Sequence, residues 1–318
     1  MKPAASLEQL VAWRWSLGAG EVPAIVTGTF DILQPGNAFA LRRAAERSAQ
    51  IVALVETDAQ ARSHATPGRP QNGLDARLEW VSGLRAVSAV SSVDAAAAPA
   101  LFSELAPFVL VVAREQRASD AVAAAAAGAG GRMVELDTVP GCFTEDIRAA
   151  IATGRTPVRL PAGLYPGPTA GPEVATGPHA GRCLVTVNGC FDILHVGHVR
   201  FLEQARGLGT ELVVLLNDDA SVSAWKGSTR PVFPLAFRMA ALRMLGCVTD
   251  VVPFSGDNPL EALARLRPDV HVKGGSFEPD RVRQERELIR SWGGRLVCTD
   301  LVEGYSTTNY IQGAVRRT

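Results

Sequence analysis

His195 and His198 stand three residues apart in the run Asn188-Gly-Cys-Phe-Asp-Ile-Leu-His-Val-Gly-His198. Two imidazoles at that spacing can present ring N–H groups to one anion, and Gly197 between them lets a ligand approach the backbone closely. The run follows the apolar Leu184-Val-Thr-Val187 and leads into Val199-Arg-Phe-Leu-Glu-Gln-Ala205, whose apolar residues recur at helical spacing. It therefore reads as a strand-to-helix turn. The first N–H groups of a helix have no carbonyl one turn back and point at whatever lies above them, which makes a site for phosphate. Two plainer readings stand beside this one: a helix with ordinary surface histidines, and a metal centre built from Asp192, His195 and His198.

Further groups suited to phosphate follow downstream. Lys226-Gly-Ser-Thr-Arg230-Pro reads as a loop after the next strand, where a cation on a flexible stem can reach a bound nucleotide. Lys273-Gly274-Gly275 directly follows another apolar strand, and its glycines let the backbone lie against a nucleoside. Gly304-Tyr-Ser306-Thr307-Thr308 opens a last helix, with hydroxyls and free N–H groups again at a helix start. Neither a Gly-x-Ser-x-Gly turn nor a His-Glu-x-x-His helix occurs, and no cysteine stands beside a helper base. Donors and cations without a poised nucleophile fit direct transfer, in which a phosphate oxygen of one substrate attacks the α-phosphorus of a nucleoside triphosphate and pyrophosphate leaves. Such a reaction depends on positioning and charge neutralisation.

The elements that must hold these groups alternate regularly. After the first strand come Glu211–Asn217, Asp250–Phe254, Asp269–Val272 and Arg295–Cys298 as strands, with helices over 235–245, 259–267 and 280–292 and a last one from Thr307. Nearly continuous apolar strands between amphipathic helices predict a parallel sheet covered on both faces, with ligands at the carboxyl ends of its strands. No Gly-x-Gly-x-x-Gly follows a first strand, which argues against a dehydrogenase.

The pattern occurs twice. After a short amphipathic helix over 6–16 and the strand Ala24–Thr27, Gly28-Thr-Phe-Asp-Ile-Leu-Gln34-Pro-Gly-Asn37 repeats the later turn at an offset of 161 residues. Leu54–Asp58, Arg69-Pro70, Arg77 and Pro107 keep that offset, and Gly130–Val134 falls on Gly293–Val297 after a shift of two. Two tandem copies of one βα unit follow: residues 1–154, a Pro/Gly-rich linker over 155–182, and residues 183–318. In the first copy His195 and His198 become Gln34 and Asn37, Lys226 becomes Ala65, Lys273 becomes Val112, and Ser306–Thr308 becomes Phe143-Thr-Glu145. Each change removes a donor or a cation, so the first copy is expected to be catalytically silent and to serve as a packing partner. Intramolecular pairing of the copies and a homodimer are both open.

Composition is that of a globular core: 47% apolar, 20% charged, with 32 basic and 32 acidic residues. That balance argues against nucleic acid or a membrane surface as partner. No apolar run reaches the ~20 residues that span a bilayer, and a cytoplasmic protein is expected. Five scattered cysteines without Cys-x-x-Cys spacing indicate neither a disulfide framework nor a zinc site.

Gly189-Cys-Phe-Asp192 followed by His195-Val-Gly-His198 resembles the signature of the cytidylyltransferase-like nucleotidyltransferases, and Asn188-Gly-Cys-Phe-Asp-Ile-Leu-His is most similar to the heptose-1-phosphate adenylyltransferase (ADP-heptose synthase) branch. The resemblance covers residues 183–318. It implies two tandem Rossmann-like domains, each a five-stranded parallel sheet flanked by helices. It implies catalytic roles for His195, His198 and Lys226, and nucleotide contacts from Asn188, Gly189, Cys190, Phe191, Asp192, Gly197, Arg230, Lys273, Gly274, Gly275, Ser306, Thr307 and Thr308. Asp219 and Arg238 are expected near the substrate, although Arg77 keeps the place of Arg238 in the first copy and points to a structural role. Mg2+ is expected to bind mainly through the triphosphate of ATP, with no confident protein ligand. The implied reaction adenylylates D-glycero-β-D-manno-heptose 1-phosphate to ADP-heptose. Because the kinase domain often fused to this branch does not appear, the phosphorylated sugar is expected from another protein. A CTP-dependent enzyme acting on glycerol 3-phosphate or phosphoethanolamine, and a non-catalytic nucleotide-binding regulator, are the alternatives.

Overall fold

The computed structural model describes residues 4–64, 70–113, 120–137, 141, 144–154, 156–161, 164–165, 181–275 and 282–300. These fall into two compact units, one up to Asp146 and one from Ile147.

The first unit runs α1 (Leu7–Trp15), β1 (Ala24–Gly28), α2 (Pro35–Ala45), β2 (Ile51–Glu56), α3 (Asp58–His64), α4 (Leu74–Ser82), β3 (Ala89–Val93), α5 (Ala98–Leu105), β4 (Val109–Ala113), α6 (Asp120–Gly128) and β5 (Arg132–Leu136), followed by α7 (Thr144–Ala152) across the division. Helix α1 begins where a capping box predicts: Ser6 Oγ accepts from Gln9 N–H, and the Gln9 side chain returns to Ser6 N–H. The strands are parallel in the order β3-β2-β1-β4-β5. β1 and β2 are buried along their whole length, as a strand covered on both faces must be.

The second unit repeats the plan: β6 (Leu184–Gly189), α8 (Val196–Arg206), β7 (Glu211–Asn217), α9 (Asp219–Lys226), α10 (Leu235–Arg243), β8 (Asp250–Phe254), α11 (Leu260–Leu266), β9 (Val270–Gly274), α12 (Arg283–Arg290) and β10 (Arg295–Thr299). Its parallel order, β10-β9-β6-β7-β8, is that of the first sheet read from the other edge. Register repeats as well. Ala24 pairs Val109 and Ile25 pairs Leu110 in the first sheet, and Val185 pairs Val270 and Thr186 pairs His271 in the second, every residue displaced by the same offset.

One expectation is corrected here. The stretch after β7 is not a loop throughout: Asp218 caps α9 by accepting from Ser221 N–H, and Lys226 is the last residue of that helix. The first described residues of the Pro/Gly-rich stretch after Gly154 are tied to the second unit. Val158 N–H donates to Val232 O at 2.8 Å, Thr156 Oγ1 donates to Thr229 O at 2.6 Å, and the Tyr165 ring meets that of Phe237 edge-on. Residues 166–180 lie outside the described set.

Candidate active site

Chain reversal after β6 requires an unusual backbone. Phe191 takes φ 41°, a left-handed conformation costly for a bulky residue, and Phe30 takes φ 50° at the matching place in the first unit. What holds the turn in both is a pair of buried knots. In the second unit Arg238 donates from Nε to Phe233 O (3.0 Å), from Nη1 to Cys190 O (2.7 Å) and Asn217 O (2.8 Å), and from Nη2 to Asp219 Oδ1 (2.6 Å). Leu235 N–H takes the other Asp219 oxygen. Asp192 accepts from Val232 N–H, Phe233 N–H and Arg230 Nε, the last at 2.6 Å.

These contacts show how three of the expected site residues are held. Arg238 is 1% exposed and its guanidinium is spent on the frame, so it shapes the turn rather than touching substrate. Both carboxylate oxygens of Asp219 are engaged in the same frame. Asp192 orients the loop over 230–233, which leaves it unsuited to a metal centre with the two histidines. Its partner Arg230 differs: the Nε is held, while Nη2 is buried with no hydrogen-bond partner among the described residues. That nitrogen is available to an anion.

The histidines sit on the helix start. His195 is the N-cap of α8 and His198 lies in its first turn, with the two rings stacked at 3.8 Å between centroids and Phe191 5.3 Å from His198. Burial pushes the His195 pKa down to about 4. That of His198 is held well below its ordinary value, first by burial and then by the neighbouring His195 and the Lys226 charge. Both rings are therefore neutral near pH 7, with one N–H each, and the His198 ring has the Ile193 carbonyl as its partner. Lys226 ends α9 with an exposed side chain, its Nζ 5.4 Å from the Trp225 ring centroid, and its charge reaches both His198 and Cys190. Burial raises the Cys190 thiol, which stands 3.9 Å from Asn217 Oδ1 and is no nucleophile.

Gly189 is packed under the Phe191 ring, where a Cβ would lie 3.0 Å from the ring edge. Gly275 takes φ 109°, open to few residues but glycine, as the chain leaves β9. Lys273 lies beside β6, its Nζ 2.7 Å from Asn188 Oδ1 and 2.8 Å from Glu285. The structure thus gathers Asn188, Gly189, Cys190, Phe191, His195, Gly197, His198 and Arg230 at the carboxyl end of β6, with Lys226 within charge reach and Lys273-Gly274-Gly275 at the end of the adjacent β9. Ser306, Thr307 and Thr308 lie outside the described residues. No three His, Cys, Asp or Glu side chains form a metal cage among the described residues. A donor set of imidazole N–H, guanidinium and ammonium groups fits the phosphates that carry a divalent cation rather than the cation itself. Also among the described residues, no helix is long and apolar enough to cross a membrane.

Sequence reasoning passed over Glu285, His271 and Thr186, which are buried behind this site. The signal that finds them is alignment of the two copies, in which polar residues replace apolar ones at fixed register.

Residues 186–313 match the cytidylyltransferase-like family. Over 137 residues the chain is 47% identical to the bifunctional protein HldE of Syntrophotalea carbinolica, covering 43% of this chain and 28% of that protein. Over 209 residues it is 40% identical to the bifunctional protein HldE of Halorhodospira halophila, covering 60% of this chain and 43% of that protein. The chain therefore spans less than half the length of these curated relatives. Among solved structures, the lipopolysaccharide core biosynthesis protein from Thermoplasma volcanium GSS1 is 24% identical, covering 40% of this chain and 100% of that one at a TM-score of 0.34.

Proposed function

Because residues 186–313 form a cytidylyltransferase-like domain, we propose that this chain is a nucleotidyltransferase that moves AMP from ATP to a sugar 1-phosphate, D-glycero-β-D-manno-heptose 1-phosphate, giving ADP-heptose and pyrophosphate. The observation that carries this reading is the stacked pair His195 and His198 on the start of α8, beside Arg230, which Asp192 holds through Nε while its buried Nη2 has no hydrogen-bond partner among the described residues.

In the proposed reaction an oxygen of the sugar phosphate forms a bond to the α-phosphorus, and the bond from that phosphorus to the bridging oxygen of the β-phosphate breaks. Negative charge grows on the α-phosphoryl oxygens and on the departing pyrophosphate. Ring N–H groups of His195 and His198 donate to those oxygens, that of His198 by exchanging its Ile193 carbonyl for phosphate, and Arg230 and Lys226 offset charge on the leaving group. The backbone N–H groups at the start of α8 add fixed donors at no cost of reorganisation. A magnesium ion, bound through the triphosphate, would supply further charge neutralisation. No side chain has to become a nucleophile, which agrees with the raised pKa of Cys190.

The first unit supports a silent role for that copy. Gln34 and Asn37 replace the imidazoles. Pro35 stands at the first helical position, where it removes a backbone N–H that Val196 provides. Glu56, at the place of Asn217, brings a carboxylate that accepts from Thr29 Oγ1 at 2.6 Å. Imidazoles are thus replaced by amides, and a carboxylate stands where the second unit has an amide.

The deciding experiment is pyrophosphate release by the full chain with ATP or CTP against a panel of sugar 1-phosphates, glycerol 3-phosphate and phosphoethanolamine, with products identified by mass. Release with ATP and the heptose phosphate, yielding an ADP-sugar, is expected. Release only with CTP and an alcohol phosphate moves the assignment to that substrate class. Nucleotide binding with no release by any pair makes the chain a regulator and ends the enzymatic reading.

A further inference from the structure

A column of polar side chains crosses the interior of the second unit, and the described residues of the first unit hold apolar side chains at the matching places. Thr186 Oγ1 lies 2.8 Å from His271 Nδ1 across the β6–β9 pairing, and His271 Nε2 faces Glu285 Oε2 at 3.9 Å. The Glu285 carboxylate grips Lys273 Nζ at 2.8 Å, and the same ammonium donates to Asn188 Oδ1 at 2.7 Å. Thr186 and His271 are fully buried, with Glu285 and Lys273 nearly so.

Strand register gives the counterparts on the sheet, and the shift of two residues that aligns β5 with β10 gives those on the helix before it. Ile25 opposite Leu110 replaces Thr186 opposite His271. Val112 replaces Lys273, and α6 carries Val122 and Ala126 where α12 carries Glu285 and Ile289. Ile25, Leu110, Val112, Val122 and Ala126 all belong to one apolar cluster of the first unit. One fold is thus built twice, once with a dry core and once with a charged pair in it. A buried ion pair adds little stability compared with well-packed apolar residues and often subtracts from it. The first unit shows that the fold does not require the column, so its presence in the second calls for a reason found only there.

The column ends at the site. Asn188 is the last residue of β6 but one, immediately before the Gly189-Cys190-Phe191 turn, and Lys273 directly precedes Gly274-Gly275. Left alone, a lysine stem of four carbons would hold its ammonium in no fixed place. The Glu285 carboxylate pins it from the helix side and Asn188 from the strand side. Behind Glu285 the His271 ring, kept neutral by burial, limits where that carboxylate can turn.

We propose that Glu285, backed by His271 and Thr186, is a positioning residue that fixes Lys273 and, through it, the Asn188 end of the nucleotide-binding turn. This rests on the reading of the site as a nucleotide site, and deepens it by naming residues that never touch the nucleotide.

The test compares the full chain with Glu285→Gln, His271→Leu and the double variant, following ATP KM, kcat and the thermal midpoint. Glu285→Gln keeps shape and loses charge. It is expected to raise the ATP KM by about tenfold or more with a smaller fall in kcat, as when a group that orients a ligand is lost. The double variant should be no worse than Glu285→Gln alone, because His271 acts through Glu285. Glu285→Gln protein with KM and kcat both within about twofold of the parent overturns the proposal, as does a lowered midpoint with unchanged kinetics, the mark of a merely structural role. Strict additivity in the double variant removes His271 from it. If the parent releases no pyrophosphate with any substrate, the transfer reading fails separately. ATP affinity by calorimetry then decides: about tenfold weaker binding by Glu285→Gln upholds the positioning role, and equal binding, or none by either protein, ends it.

Discussion

Arg77 and Arg238 make the same four contacts in the same order. Arg77 donates to Asn72 O, Thr29 O, Glu56 O and Asp58 Oδ1, and Arg238 to Phe233 O, Cys190 O, Asn217 O and Asp219 Oδ1, with lengths that agree bond for bond. Asp31 takes the N–H groups of Gln71 and Asn72 as Asp192 takes those of Val232 and Phe233. Backbone carbonyls provide most of the acceptors in the arginine knots, so the side chains at those positions were free to diverge while the frame persisted. The lesson is a division of labour. Groups common to both units build the turn, and groups found only in the second are the ones to suspect of chemistry.

The strongest way to break that division is to give the second unit the first unit's residues. His195→Gln and His198→Asn together should leave the thermal midpoint within a few degrees, because Gln34 and Asn37 already occupy that frame, buried, in the other copy. Pyrophosphate release should fall by about 10²–10³-fold or more, the scale of losing one preorganised donor at a developing charge. Turnover that survives the pair would dissolve the contrast between the copies.

Next in size is the frame itself. Arg238→Leu and Arg77→Leu each leave three backbone carbonyls without their donor, and each should cost about 3–5 kcal/mol in its own unit, at about 1–3 kcal/mol per buried carbonyl left unsatisfied, while the partly exposed Asp58 and Asp219 carboxylates return to water. Equal losses in two separately resolved unfolding transitions are expected. A loss of activity in Arg238→Leu without loss of stability would return that residue to the substrate, against its burial.

Acid sensitivity should also divide the units. His195, His198 and His271 are all held below their ordinary pKa, His195 at about 4 and His271 at about 3. Each is neutral in the fold and takes up a proton on unfolding once the pH drops below about 6.5, so the unfolded state binds more protons and stability falls as pH falls. Nothing is lost above that pH. His271→Leu should remove about 1.5 kcal/mol of the loss between pH 6.5 and 5.0, one buried imidazole's share. The transition lowered by Arg238→Leu is the one to follow. An unchanged pH slope would mean that His271 is already charged or solvated in the fold.

Much of this was legible in the residues and some was not, for definite reasons. The strands of the second unit and the offset between copies were readable because both faces of each sheet are covered, which turns the strands into unbroken apolar runs. Helix α9 was missed: it is short, it buries only Val222, and the Gly227-Ser-Thr that follows carries a strong loop signal. The persistence of Arg77 points to the structural role of Arg238, but those of Asp192 and Asp219 are not legible, since a carboxylate near a motif looks alike whether it faces a ligand or backbone N–H groups. Glu285 hid in a helix rich in charge, where one buried carboxylate among exposed ones leaves no mark on periodicity.

The finest comparison concerns two glycines. A Cβ at Gly28 would meet the Phe30 ring at 3.6 Å, ordinary contact, whereas at Gly189 it would meet the Phe191 ring at 3.0 Å. Gly28→Ala should therefore be neutral or stabilise by about 0.5 kcal/mol, through the lowered entropy of the unfolded chain. Gly189→Ala should forfeit that gain, because the Phe191 ring has to move by a few tenths of an ångström while its own backbone is already left-handed. That ring stands 5.3 Å from His198, so the shift should also reach the reaction as a fall in kcat of a few-fold. Thermal midpoints of the two variants and the turnover of Gly189→Ala read this out. If the alanines behave alike in both copies, the phenylalanine in the second unit is only a structural twin of the first and takes no part in placing the imidazole.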